Sequence, residues 1–129
     1  MKKIIYLTTV CSILFANQPS FIASENEIVL NKNQCGFDVS DFDENPSTGY
    51  VWSASYDDKV FREPKKEFLL GQAKTGMSGV GGKAIFYFAL KPKLCNDGNI
   101  TNSKITFALA RPWENTPAKT KIIEVKFKY

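Results

Sequence analysis

A chain of 129 residues with 43% hydrophobic and 23% charged side chains is long enough for one buried core and too short for two. It contains no histidine, so serine and cysteine nucleophiles lack their usual general base and zinc lacks its commonest ligand, which excludes hydrolase triads and histidine-based metal sites. The formal charge of +4 falls to +2 on loss of residues 1–16, since Lys2 and Lys3 then leave 15 basic against 13 acidic residues, and so small an excess does not point to nucleic acid.

Lys2 and Lys3 precede the apolar run Ile4 to Ala16, broken only by Thr8, Thr9 and Ser12, which is the layout of a secretory signal peptide. The run is short for a membrane span, and Asn17, Gln18 and Pro19 follow at once. Residues 1–16 are therefore expected to be removed rather than to anchor the chain, with a cut after Ala16, or alternatively Ala23. Residues 17–129 remain as a single domain. Cys11 leaves with the leader, while Cys35 and Cys95 travel to an oxidising compartment and are expected to form one disulfide, two separate thiols being the alternative.

Ile28 to Leu30 reads as a short apolar strand, ended by the polar turn Asn31-Lys32-Asn33. Phe37 and Val39 alternate with Asp38 and Ser40, the period of a half-buried strand, and lead into Asn45-Pro46-Ser47-Thr48-Gly49-Tyr50. In that stretch Pro46 fixes its own φ and biases Asn45 toward an extended backbone, while Gly49 is free to take φ > 0, so the six residues form a stiff, tight reversal. Asp41, Asp43 and Glu44 beside it, and Asp57 and Asp58 further on, read as solvated turn acids rather than a glycosidase pair. Tyr50, Trp52, Ala54 and Tyr56 then share one strand face, which makes Trp52 a core residue.

A short segment from Val60 to Glu63 is stopped by Pro64, and Phe68 to Leu70 is a further small strand. The stretch from Gly71 to Gly82, ending Gly79-Val80-Gly81-Gly82, is too poor in apolar residues to order itself and reads as a mobile connection. It is not a phosphate loop, because no Lys-Ser or Lys-Thr follows and a strand comes next. That strand, Ala84 to Leu90, is apolar on both faces and is expected to be buried on more than one side.

Lys91 to Ser103 is a polar loop holding Cys95 and the glycosylation acceptor pattern Asn99-Ile100-Thr101, whereas Pro46 and Pro117 make Asn45 and Asn115 poor acceptors. Ile105, Phe107 and Leu109 alternate with Thr106, Ala108 and Ala110 and run into Arg111-Pro112-Trp113. Pro112 denies Trp113 a helical approach to the core, and a loop tryptophan beside an arginine has the composition of a binding hot spot; the alternative is a ring folded back onto the domain end. The last strand, Ile122 to Tyr129, has a charged face expected to protect a sheet edge.

About seven short strands with regular turn signals and no amphipathic helix indicate an all-β, immunoglobulin-like antiparallel β-sandwich. In that topology the Pro46, glycine and Arg111 loops emerge at one end, and the other holds Cys35, at the start of one strand, and Cys95, just past the end of its neighbour in the same sheet.

Asn45 to Tyr50, Gly79 to Gly82 and Arg111 to Trp113, in this order and at these separations, resemble the three loop motifs of chagasin-type inhibitors of papain-like cysteine peptidases. The resemblance spans about Ile28 to Tyr129. It implies a non-enzymatic, reversible, tight-binding inhibitor, monomeric and without cofactor or metal, whose three loops enter the cleft of a cathepsin-like peptidase. Ser47 and Thr48 would then face the target's catalytic cysteine and histidine, the glycine loop the unprimed side, and Arg111 and Trp113 the primed side. The chain departs from the family in carrying Ser47 where threonine is usual, in the length of its glycine loop, in its leader and in the added Cys35/Cys95 pair. The leader places the protein in the secretory pathway, secreted or held in lysosome- or phagosome-like vesicles, or periplasmic or extracellular in a bacterium, with no stable membrane anchor. The competing reading is an adhesion or carbohydrate-binding sandwich that uses Trp113 as a stacking platform.

Overall fold

The computed structural model describes residues 18–70 and 81–129. The leader expected over residues 1–16, most of the glycine stretch, and with it Gly79 and Val80, lie outside the described residues. Among the described residues eight strands form two four-stranded sheets. The first sheet holds β1 (Ser20–Ile22), β3 (Gly36–Glu44), β6 (Gly82–Ala89) and β5 (Lys65–Leu70), in that spatial order. The second holds β2 (Glu27–Asn31), β8 (Lys119–Lys128), β7 (Ser103–Ala110) and β4 (Val51–Ser55).

The alternation in the sequence sets which side chains meet between the sheets. Val39, Phe42, Phe86 and Phe88 from the first sheet pack on Ile105, Phe107, Ile123 and Val125 from the second, all buried. Phe107 lies 4.6 Å from Phe42 and 5.3 Å from Phe86 between ring centroids, so aromatic contacts join the layers. Trp52 belongs to this core, 9% exposed and 5.1 Å from the Phe42 ring.

Several expectations are corrected. β1 went unread because three residues carry too little period, yet it pairs with β3, with Ser20 beside Asp38 and Ile22 beside Ser40. That pairing and the one between β2 and β8 are parallel, while the other ladders are antiparallel. Val60 to Glu63 forms no strand, only an isolated bridge from Phe61 to Leu90. β5 starts at Lys65, three residues earlier than its apolar end suggested. β6 is central by hydrogen bonding but buried on one face only: Ala84, Phe86 and Phe88 are buried while Lys83 and Tyr87 are exposed. β8 is no edge, since it lies between β2 and β7, and its charged residues cover the solvent face of the sheet.

Cys35 and Cys95 are disulfide-bonded, with Cα atoms 5.3 Å apart. The bridge forms because β3 and β6 are neighbours, with Gly36 opposite Ala89: Cys35 directly precedes Gly36, and a 3-10 turn over Pro92–Leu94 carries the chain on from β6 to Cys95. At the other end Glu44 pairs with Gly82, Gly82 with Leu70, Val51 with Ala110 and Leu109 with Lys119. The strand ends at Glu44, Leu70 and Ala110 therefore share one end of the sandwich, opposite the disulfide.

Candidate functional site

The Asn45–Tyr50 loop is braced from within. Asn45 is extended, its Oδ1 accepts hydrogen bonds from the Ser47 N–H at 3.2 Å and from Ser47 Oγ at 2.7 Å, and a 3-10 turn spans Pro46–Thr48. Thr48 donates to the Asn45 carbonyl through both its N–H, at 3.1 Å, and its hydroxyl, at 2.7 Å. Gly49 closes the turn with φ 81°, a left-handed conformation that a side chain would oppose, and donates its N–H to the Pro46 carbonyl. The hydroxyls of Ser47 and Thr48 are thus spent on the loop's own shape.

The Arg111 loop docks against this turn. The Arg111 guanidinium donates from Nε to the Thr48 carbonyl at 3.1 Å, lies 4.2 Å from the centre of the Tyr50 ring and pairs with the Glu114 carboxylate at 3.3 Å. A turn from the Arg111 carbonyl to the Glu114 N–H, with Pro112 inside it, turns Trp113 outward. Trp113 is 70% exposed, touching the domain through the edge of its ring at Gly49. It does not fold back over the sandwich end.

Of the glycine motif, Gly81 and Gly82 are described. Gly82 opens β6 between Glu44 and Leu70, where an added Cβ would run into the Leu69 carbonyl. Between it and the first loop lies an open groove of about 370 Å³, lined by Asn45, Thr48, Tyr50, Gly81, Gly82 and Leu109 among others. Two of the three motifs therefore make one continuous surface, and the described part of the third borders it. Cys35, Cys95 and Asn99 stand at the opposite end, with Asn99 exposed in a turn.

The acids beside the first loop do not behave alike. Asp41, at a bulge in β3 with φ 70°, and Asp43 are exposed and both pair with Lys83, Asp41 at 3.0 Å. Their hydrogen bonds, Asp43 first, hold the Lys83 ammonium above its ordinary value. Glu44, expected to be solvated, is instead buried at 5% exposure. Its carboxylate accepts the Trp52 N–H at 2.6 Å and pairs with Lys66 at 2.7 Å. Sequence reasoning missed it because three acids within four residues beside a turn look alike in the absence of the third dimension. Glu114 was also missed, although its spacing of three from Arg111 is a legible pairing signal.

The sequence model described as the chagasin family of peptidase inhibitors, I42, matches residues 41–127. No curated protein sequence matches the chain. In fold the chain is similar to the crystal structure of the cysteine protease inhibitor EhICP2 from Entamoeba histolytica, with a TM-score of 0.66 and 18% identity over 87% of this chain and 98% of that one. It is similar also to the solution structure of amebosin, with a TM-score of 0.61 and 22% identity over 86% of this chain and 98% of that one. These identities speak for the fold, and the family match speaks for the function: the chain belongs to the chagasin family of peptidase inhibitors and is an inhibitor, not an enzyme.

Proposed function

We propose that this protein is a reversible, tight-binding inhibitor of papain-like cysteine peptidases that inserts the Asn45–Tyr50 loop into the active-site cleft, flanked by Arg111–Trp113 on one side and Gly79–Gly82 on the other. The observation that carries the reading is the docking of Arg111 on the Thr48 carbonyl and the Tyr50 ring, which joins two loops into one wedge before any partner arrives. A surface already in its bound shape loses little conformational entropy on association, and an inhibitor of this kind covers about 800 Å² on each partner.

The inhibition is non-covalent. Ser47 Oγ is hydrogen-bonded to the Asn45 amide and Thr48 Oγ1 to a carbonyl, so neither hydroxyl has a base to activate it. The 3-10 turn curls the backbone of Pro46–Thr48 away from the extended shape that a peptidase cleaves. The chain acts as a monomer in the secretory pathway once residues 1–16 are removed. The pairing of β1 with β3 favours a cut at Ala16 over Ala23, since the later cut would strip a strand from the first sheet.

Titration of papain with the processed chain tests the reading. Activity should fall linearly to zero at one inhibitor per active site and return on dilution or competition, with both proteins recovered at unchanged mass. A chain cut between Asn45 and Tyr50, or an adduct on the peptidase cysteine, would make it a slow substrate instead.

A further inference from the structure

We infer that the buried Glu44 carboxylate, together with Lys66, is the positioning element that closes the mouth of the first loop and ties it to strand β5. The inference rests on the inhibitory reading above only where affinity is concerned. β3 and β4, which the loop connects, lie in opposite sheets, so no ladder joins them as it would in a hairpin. β4 and β5 are moreover edge strands of the two sheets, and the seam between them needs another closure.

Glu44 provides it. Standing one residue before Asn45, it accepts the N–H of Trp52, two residues beyond Tyr50, so that its side chain does the work of the missing ladder bond. Lys66 of β5 reaches the same carboxylate and also donates to the Trp52 carbonyl at 2.9 Å. The Trp52 indole N–H returns to the Asp43 carbonyl at 2.8 Å, a second link between the two stems of the loop. Among the described residues Glu44 is the sole buried charged side chain, and a buried carboxylate persists only with this degree of pairing. Such a pair contributes little net stability compared with apolar residues, whereas its geometry holds three strands in one arrangement. β5 ends at Leu70, where the glycine stretch begins, so the same carboxylate sets the spacing between the stems of two loops.

The test uses Glu44→Leu, which removes the acceptor of the Trp52 N–H, Lys66→Met and the double variant of the processed chain, each measured by melting temperature, by papain inhibition and by amide hydrogen exchange. Positioning predicts inhibition weakened about tenfold in all three, because a smaller share of molecules holds the binding-competent loop. Exchange should quicken at least about tenfold over residues 45–52 and stay unchanged over Glu27–Asn31, at the far edge of the second sheet. In the double variant no charge is left unpaired, so the melting temperature should recover toward that of the parent while inhibition does not. Recovery of inhibition along with stability, or unchanged exchange over 45–52, would overturn the inference and leave Glu44 a packing residue. Should Glu44→Leu alone fail to fold, Lys66→Met and the double variant decide. Failure of the parent chain to inhibit papain would instead sink the inhibitory reading, and the exchange measurement would still judge the role of Glu44.

Discussion

The indole of Trp113 lies so close to Gly49 that a Cβ on that glycine would stand 2.8 Å from ring carbon Cη2. The exposed anchor of one loop therefore rests on the one residue of the other that has no side chain, and at φ 81° that residue also occupies a backbone region closed to most others.

Gly49→Ala should suffer on both counts. The left-handed backbone costs about 1 kcal/mol with a Cβ present, and Trp113 must move off its seat. We expect inhibition of papain to weaken roughly thirtyfold or more while the melting temperature drops only slightly. Unchanged affinity would mean that the turn and the tryptophan are not a single surface.

Trp113→Ala removes an exposed ring and leaves the core untouched. Hot-spot aromatics contribute ~2 kcal/mol or more, about thirtyfold in the inhibition constant, so affinity should fall while thermal stability holds. Measured together, the two quantities distinguish a binding residue from a structural one.

Ser47→Ala and Thr48→Ala each delete a hydrogen bond to Asn45 and should cost about 1 kcal/mol of affinity apiece through a looser loop. Asn45→Ala, which removes the acceptor of both the Ser47 hydroxyl and the Ser47 N–H, should cost more than Ser47→Ala. An inhibition series with the order reversed would place the hydroxyls on the peptidase instead of on the loop.

Reduction of the Cys35–Cys95 bridge, or the Cys35→Ala/Cys95→Ala variant, should lower stability by ~2–4 kcal/mol in chemical denaturation. Inhibition measured well below the melting point should be unchanged, because the bridge stands at the end of the sandwich opposite the loops.

At the same far end the Tyr129 hydroxyl donates to the Gln34 carbonyl at 2.6 Å, and burial pushes its pKa up to about 12. A tyrosine whose folded pKa exceeds its unfolded value, about 10, stabilises fully below that pH and loses the contribution as pH rises toward the folded value. Stability should therefore decline between about pH 10 and about pH 12, and Tyr129→Phe should flatten that decline in a denaturation series across the range.

What the sequence determined by itself was everything that rests on local periodicity and on backbone-specific residues. Alternation placed Phe37, Val39, Ile105, Phe107, Ile123 and Val125 in the core, because a strand turns every second side chain to the same face. Pro46 and Gly49 announced a rigid turn, and the Arg-Pro-Trp run an outward tryptophan, because proline and glycine act on their own φ angles wherever they stand. Only the tertiary structure decided the rest. The parallel pairing of β1, the interior place of β8, the burial of Glu44 and the docking of Arg111 on Thr48 all depend on partners distant in the chain, 22 residues for Glu44 with Lys66 and 63 for Arg111 with Thr48. A side chain's local pattern sets the face it occupies; whether a charge there meets water or a lysine is settled when the two sheets close upon each other.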